Sequence, residues 1–220
     1  MTPFYLIDVF TTEPFSGNPL AIVSDADELS TELMQRIAGE FNQTETTFLL
    51  TPTHPDADWR LRSFTAAGIE VFGVGHNALG AWWWLATSGR LTLDAPTRTF
   101  TQEIDGRARP KSEPLAAYLR SVGAQGCYLF CLDPLDPDAP AQARFFGPNV
   151  GIAEDPATGS AAGPLAAYLV ARKVASERRP VIVEQGGAMG RPSRIEVRVS
   201  GRGVRVSGNA VLVVEGRLRI

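Results

Sequence analysis

The sequence predicts an α+β fold of two similar halves, each a curled antiparallel sheet around one apolar helix. Three observations support this prediction. Most of the chain consists of short β-prone segments, two apolar helices each follow a glycine-rich loop, and the residues around those loops match. A length of 220 residues with 44% hydrophobic residues suffices for one large domain or two small ones with a hydrophobic core.

The first half, residues 1–105, alternates predicted strands with two helices. Residues 29–40 have an amphipathic pattern with Asp27 or Ser30 as the N-cap. An apolar helix begins at residue 77, contains three consecutive tryptophans and ends before Gly89, which predicts a helix enclosed by other structure. Strands are predicted at residues 4–10, 20–23, 46–50 and 59–65, with further strand signals over 91–105.

The second half, residues 106–207, begins with a basic, proline-broken segment at 106–126 that we interpret as a linker. The stretch 152–169 passes from two acids through small residues into a buried helix that includes Tyr168. Over 181–220, Arg and Glu alternate with Val and Ile, which is typical of an antiparallel sheet with one solvated face. Shorter strands are predicted at 128–132 and 143–146.

A repeated pattern relates the two halves. In each half an Arg-x-Phe strand, a Gly-Ile pair and a glutamate precede a glycine that opens the apolar helix. If the two units face each other, both helix N-termini point into one cleft. Their free N–H groups and positive dipole ends would make that cleft suitable for an anion. The matching residues are Arg62, Phe64, Gly68, Ile69, Glu70 and Gly75 in the first half, and Arg144, Phe146, Gly151, Ile152, Glu154 and Gly159 in the second.

Three side chains near this predicted cleft are suited to proton transfer. Asp155 precedes the second helix, His76 stands just before the first, and Glu45 stands where a strand begins. Each also has a purely structural interpretation: an aspartate that ends a turn, a capping histidine and a surface glutamate. From these residues alone, both interpretations stay open.

Composition excludes several other functions. A net charge of -3 gives no electrostatic basis for binding nucleic acid or an anionic membrane, and no apolar run is long enough to span a bilayer. The first residues lack the pattern of a secretory signal, so we expect a cytoplasmic protein. Cys127 and Cys131 have no His or further Cys nearby in sequence, which predicts two reduced packing cysteines and no metal site.

Four motifs together resemble the PhzF family, the phenazine-biosynthesis-like isomerases with a diaminopimelate-epimerase-like fold. They are DVFTTEPFSGNPLAIV, NQTETTFLL, GVGHNALG and GIAEDPATGSAAGPLAAYL, and they occur in the family's order. The resemblance implies two barrel-like domains with the active site between them, no metal, no organic cofactor, and a homodimer. It also implies that the last strand, about 208–220, completes the first domain.

The resemblance assigns roles to individual residues. It implies that Glu45 shuttles the proton as acid and base, and that His76 and Asp155 are its catalytic partners. The expected reaction is a cofactor-independent isomerisation that moves a proton on a small cyclic amino- or hydroxy-carboxylate. The substrate-binding residues would be Gly75, Asn77, Gly159 and Ser160.

Two alternative functions stay open. The chain is short for the family between about 107 and 142, and a trimmed fold favours a non-catalytic protein that binds a small carboxylate. Open barrels would also expose strand edges that a dimer contact could cover. The other alternative is a racemase or epimerase that works without thiols. Related racemases place cysteines where this chain has His76 and Ser160, so a two-thiol mechanism is disfavoured.

Overall fold

The computed structural model describes residues 1–72, 75–91, 100, 102–103, 119, 121–132 and 138–220. Its helices are α1 (Thr31–Phe41), α2 (His76–Thr87) and α3 (Gly159–Ala171), and short 3₁₀ turns cover Pro148–Val150 and Gly187–Met189. Its strands are β1 (Thr2–Val9), β2 (Asn18–Val23), β3 (Glu45–Leu50), β4 (Trp59–Phe64), β5 (Glu70–Val71), β6 (Gln102–Glu103), β7 (Cys127–Cys131), β8 (Ala141–Gly147), β9 (Ile152–Asp155), β10 (Val181–Gln185), β11 (Ser193–Ser200), β12 (Gly203–Ser207) and β13 (Ala210–Leu218).

The first sheet has the strand order β13-β1-β2-β3-β4-β5, with β6 beside β4. The C-terminal strand β13 pairs antiparallel with the N-terminal strand β1. β2 and β3 pair in parallel, with Leu20 opposite Glu45. The parallel register follows from α1, because a helix between two neighbouring strands returns the chain to the same end of the sheet.

The two faces of the first sheet pack against different helices. Phe48 and Phe64 belong to a hydrophobic cluster with α1, whereas Leu49 and Leu61 belong to the cluster that includes α2. α2 lies so close to β2 that a Cβ atom on Gly80 would be 2.6 Å from the Leu20 side chain. This packing fixes α2 next to the strand that begins at Glu45.

The second sheet has the order β12-β11-β10-β8-β7, with β9 beside β8. α3 packs on β10, β11 and β12. In β11 the buried residues Ile195, Val197 and Val199 alternate with accessible ones, which confirms the predicted half-solvated strand. β8 and β10 pair in parallel, while β8 pairs antiparallel with β7 and β9.

Side-chain geometry confirms the predicted repeat. Arg62 donates two hydrogen bonds to Glu70, at 2.7 and 2.8 Å. Arg144 donates two to Glu154, at the same distances of 2.7 and 2.8 Å. In both units the guanidinium also lies over the ring of the phenylalanine two residues later, 5.1 and 5.2 Å from its centroid. The two halves therefore contain the same strand–loop–helix unit.

Some features differ from the sequence-based predictions. The sheets are mixed rather than antiparallel, because helices and long connections return the chain to a neighbouring strand in the same direction. Within the described ranges both sheets are open, and neither closes into a barrel. Tyr168 is 48% exposed and Cys131 is exposed at the outer strand β7, so neither is a core residue.

Parts of the predicted pattern lie outside the described residues. These are most of the strand signals over 91–105 and most of the linker at 106–126. The predicted division into domains at residues 105 and 106 therefore stays a prediction.

Candidate active site

A cavity of about 600 Å³ lies where the starts of α2 and α3 meet. The hairpin loops of the two repeated units also approach each other, since a Cβ atom on Gly151 would be 3.4 Å from the Cβ of Ala67. Residues predicted as catalytic or substrate-binding converge on this cavity. They are Glu45, Gly75, His76, Asn77, Asp155, Gly159 and Ser160, and all of them line it.

Glu45 is the first residue of β3 and forms part of the cavity wall. Its Oε2 atom is buried and has no hydrogen-bond partner among the described residues. Burial, and secondly the nearby charge of Asp155, raise the pKa of Glu45 from 4.5 to about 8. At neutral pH this carboxyl is therefore mostly protonated but close to its ionisation point.

His76 opens α2, is 4% exposed, and has an Nε2 atom without a hydrogen-bond partner in the described part of the chain. Burial lowers the pKa of His76 to about 3, so its ring is neutral at ordinary pH. Beside it, Asn77 Oδ1 accepts hydrogen bonds from the N–H groups of Gly75 and Ala78, both at 2.9 Å. The Asn77 amide thus shapes the turn into α2, and the N–H of Gly75 is already used within the protein.

Asp155 ends β9, lines the cavity and is 4% exposed. Its Oδ1 atom accepts a hydrogen bond from Asn18 Nδ2 at 2.8 Å, and its Oδ2 atom accepts one from Thr158 Oγ1 at 2.5 Å. Burial raises the pKa of Asp155 from 3.8 to about 6, although these two hydrogen bonds oppose the rise. Asp155 therefore ionises at a lower pH than Glu45.

The helix starts make the cavity suitable for an anion. The first N–H groups of a helix have no acceptor within it, and the helix dipole favours negative charge there. Gly159 and Ser160 bring such groups to the cavity at α3, where close packing of Phe10 leaves little room for a side chain on Gly159. No Lys or Arg is found among the described lining residues, so the helix starts are the principal feature that would hold a carboxylate.

Sequence reasoning misses two buried residues behind Asp155. Asn18, in β2, reaches Asp155 from the first sheet, and Gln185, the last residue of β10, contacts the loop before α3. Gln185 lies on the buried face of its strand with Val181 and Val183. A buried polar side chain needs hydrogen-bond partners, so its place in this alternation is the signal that would have revealed it. No comparable local signal marks Asn18.

The sequence also bears on metal sites and membrane helices, and it contains a second histidine, His54. The described residues contain no group of three or more His, Cys, Asp or Glu placed to hold a metal ion. In the same part of the chain, no helix combines the length and hydrophobicity needed to cross a membrane. His54 is exposed in the loop before β4.

Comparison with known proteins agrees with this geometry. The family model for phenazine biosynthesis-like proteins, PhzC-PhzF, matches residues 7–108 and 118–216. The chain belongs to this family. A PhzC-PhzF relative from Pseudomonas aeruginosa, named trans-2,3-dihydro-3-hydroxyanthranilate isomerase, is 33% identical over 277 aligned positions that cover 99% of both chains. A Pseudomonas fluorescens protein of the same name is 31% identical, again over 99% of both chains.

Solved structures of PhzF-like proteins share the fold. A predicted epimerase from Pseudomonas aeruginosa has a TM-score of 0.79 and 26% identity over 100% of both chains. A PhzF-family phenazine biosynthesis protein from Bacillus anthracis has a TM-score of 0.79 and 25% identity, covering 100% of this chain and 99% of its own. Together with the relatives named as isomerases, these matches show that this PhzC-PhzF protein is an isomerase.

This PhzC-PhzF chain is shorter than its Pseudomonas aeruginosa relative. Their alignment has 277 positions and the chain has 220 residues, so at least 57 positions have no counterpart here. The family model leaves 109–117 unmatched, inside the region that the resemblance predicts to be trimmed. The predicted site residues all lie in the matched segments.

Proposed function

We propose that this isomerase moves a proton on a small cyclic amino- or hydroxy-carboxylate and uses Glu45 as both acid and base. The observation that carries the proposal is the buried Oε2 atom of Glu45, which has no hydrogen-bond partner in the described part of the chain and lies at the wall of a cavity of about 600 Å³. A buried polar atom without a partner is costly, and a bound ligand can supply the missing partner. A substrate atom that takes up or gives the proton would lie next to this carboxyl.

The ionisation of Glu45 supports this role. An isomerisation breaks one bond to hydrogen and forms another, so a single carboxyl that gives a proton to one position of the substrate and takes one back from another balances the reaction. With a pKa of about 8, Glu45 is present in both protonation states near neutral pH. A pKa close to the working pH is the condition under which general acid–base catalysis is most effective.

Asp155 and His76 would hold the substrate around Glu45. The Asp155 carboxylate can accept a hydrogen bond from a substrate amino or hydroxyl group. The neutral His76 ring has an Nε2 atom with no partner among the residues that the structure describes. The substrate carboxylate would lie at the helix starts, where Gly159 and Ser160 offer donors. In this arrangement a ring of about the size of a six-membered carbocycle has room in the cavity.

Hydrogen exchange with solvent tests the proposal. Trans-2,3-dihydro-3-hydroxyanthranilate, the compound in the relative's name, is incubated with the protein in D₂O, and deuterium in the recovered compound is measured by mass spectrometry. The wild type should introduce deuterium, and Glu45→Gln should slow its entry by roughly 100-fold or more. Glu40→Gln removes an exposed carboxyl on α1 and should keep the wild-type rate.

Two results would contradict the proposal. Exchange in Glu45→Gln at the wild-type rate shows that another group moves the proton. The second result combines two measurements. The aromatic analogue anthranilate raises the melting temperature, and neither trans-2,3-dihydro-3-hydroxyanthranilate nor any other cyclic amino- or hydroxy-carboxylate tried exchanges hydrogen with solvent. That result favours a protein that binds a carboxylate without turning it over.

A further inference from the structure

We propose that Asn18 and Gln185 are positioning residues that keep Asp155 ionised and thereby leave the proton of the cavity on Glu45. The inference rests on the proposed function, in which Glu45 transfers that proton. It adds the residues that decide whether Glu45 or Asp155 holds the proton before the reaction. Both residues are buried behind Asp155, and each is oriented by a backbone group whose hydrogen-bonding role is fixed.

Two backbone groups fix the orientation of the Gln185 amide. Its Oε1 atom accepts a hydrogen bond from the Thr158 N–H at 3.1 Å, and its Nε2 atom donates to the Asp155 carbonyl at 2.6 Å. A backbone N–H only donates and a carbonyl only accepts, so a flipped amide would set donor against donor and acceptor against acceptor. Gln185 is 2% exposed, and solvent cannot relieve that conflict.

The fixed amide in turn orients two hydroxyl groups. Tyr128 must donate its hydrogen to Gln185 Oε1, at 2.9 Å, because that oxygen only accepts. Burial raises the pKa of Tyr128, so its hydroxyl keeps this hydrogen. Thr158 Oγ1 accepts from Gln185 Nε2 at 3.0 Å and donates its own hydrogen to Asp155 Oδ2. A chain of oriented donors therefore ends on the Asp155 carboxylate.

Asn18 fixes the other Asp155 oxygen in a similar way. Its Nδ2 atom donates to the Ala157 carbonyl at 2.9 Å, which identifies this atom as the nitrogen. The same nitrogen donates to Asp155 Oδ1 at 2.8 Å. Each oxygen of Asp155 therefore accepts a hydrogen bond from an oriented donor, and these two bonds stabilise the carboxylate against the effect of burial.

Glu45 is in the contrasting position. Its buried Oε2 atom receives no hydrogen bond from the described residues, so burial disfavours its charged form without compensation. Among the described residues, the titratable groups near Asp155 include Glu45 from β3, His76 from α2 and Tyr128 from β7, and burial keeps the last two neutral. Glu70 from β5 also lines the cavity, but its carboxylate accepts two hydrogen bonds from the Arg62 guanidinium. Within the described cavity the competition for the proton is therefore between Glu45 and Asp155.

The test reverses the direction of the donor chain with Gln185→Glu. The new carboxylate accepts from the Thr158 hydroxyl, so Asp155 loses that donor and gains a negative neighbour. The titration of Asp155 is followed by ¹³C NMR on protein labelled at the aspartate carboxyl carbons, and its signal is assigned by its loss in Asp155→Asn. The wild-type midpoint should lie near 6, and Gln185→Glu should raise it by about one pH unit or more.

Two further variants keep the test decisive. Gln142→Glu adds the same charge on the neighbouring strand β8 and should leave the Asp155 midpoint within about 0.3 pH units of wild type. Thr158→Val preserves shape but removes the hydroxyl donor, and it should also raise the midpoint if Gln185→Glu does not fold. An unchanged midpoint in a folded Gln185→Glu or Thr158→Val overturns the inference. Because no substrate is used, this outcome is independent of whether Glu45→Gln stops exchange.

Discussion

The two repeated units share a scaffold and differ in how completely their polar atoms are paired. The arginine–glutamate pair stands at matching positions in both, with the same two-bond geometry. On the α2 side, the buried Nε2 atom of His76 and Oε2 atom of Glu45 have no partner among the described residues. On the α3 side, both oxygens of Asp155 accept hydrogen bonds.

This difference suits the two sides of the cavity to different tasks. Unpaired buried atoms are costly in the free protein and gain from a ligand, so the α2 side is suited to chemistry on a substrate. A buried carboxylate whose two oxygens both accept hydrogen bonds is held in one arrangement, so the α3 side is suited to holding a substrate group in place. A repeated scaffold thus accommodates two tasks by changing only the residues around each helix start.

The largest expected effect is the dependence of stability on pH that Glu45 creates. The pKa of Glu45 is raised from 4.5 to about 8, so between these values the folded protein holds a proton that the unfolded chain has released. Rising pH therefore favours unfolding. Between pH 5 and pH 9 the wild type should lose roughly 4 kcal/mol of unfolding free energy relative to Glu45→Gln.

Urea denaturation at pH 5, 7 and 9 measures this effect. Asp155 contributes in the same direction through its pKa of about 6, but it is present in both proteins and largely cancels in the comparison. Glu40→Gln removes an exposed carboxyl and should follow the wild-type curve at every pH. Parallel pH curves for the wild type and Glu45→Gln would show that folding does not raise the pKa of Glu45.

The second effect tests the rigidity of the α3 side through Gly186. A Cβ atom there would lie 2.5 Å from the carbonyl oxygen of Pro156, in the loop before α3, and 2.3 Å from that of Arg191. Gly186→Ala should therefore lower the unfolding free energy by roughly 3 kcal/mol. Gly89 is the matched control, since its φ of +76° resembles the +79° of Gly186 and nothing lies within 4 Å of its Cβ position.

Gly89→Ala should lower the unfolding free energy by only about 1 kcal/mol, which is the cost of a positive φ at an alanine. Equal losses in the two alanine variants would mean that the loop before α3 moves easily to make room for a side chain. In that case the α3 side is not the rigid half of the site.

How much of this site the sequence predicts depends on whether the signal is local. The glycine-rich loops and the helix starts are local signals, and the repeat is recognised when two such local segments are compared. These features contain most of the predicted cavity residues. Asn18 is 137 residues from the Asp155 it contacts, and nothing near it in sequence indicates that contact. The Gln185 network requires the pairing of β10 with β8 and β11, which the strand patterns do not specify.

The mistaken expectation of antiparallel sheets has a different cause. The predicted helix at 29–40 lies between two predicted strands, and that order is typical of a parallel pair joined by a crossover helix. The alternating pattern of residues 181–220 indicates an antiparallel sheet, and extending it to the first half is wrong for β2 and β3. In this case the information is present in the sequence, but the interpretation gives it too little weight.

The smallest effect concerns the arginine–glutamate pairs, which share geometry and differ in burial. The side chains of Arg62 and Glu70 are each 15% exposed, whereas that of Arg144 is 52% exposed. Glu70→Gln leaves a poorly hydrated guanidinium with a weaker partner and should lower the unfolding free energy by roughly 2 kcal/mol. Glu154→Gln should cost several-fold less, because water can solvate Arg144.

Salt provides the discriminating measurement for this pair of variants. Screening weakens an exposed ion pair more than a shielded one, so raising NaCl from 0.05 to 1 M should remove most of the small loss in Glu154→Gln and little of the loss in Glu70→Gln. Equal losses with equal salt dependence would show that burial does not distinguish the two units. The difference between the halves would then be confined to the cavity wall. There both oxygens of Asp155 accept hydrogen bonds, and the Oε2 atom of Glu45 has no partner among the described residues.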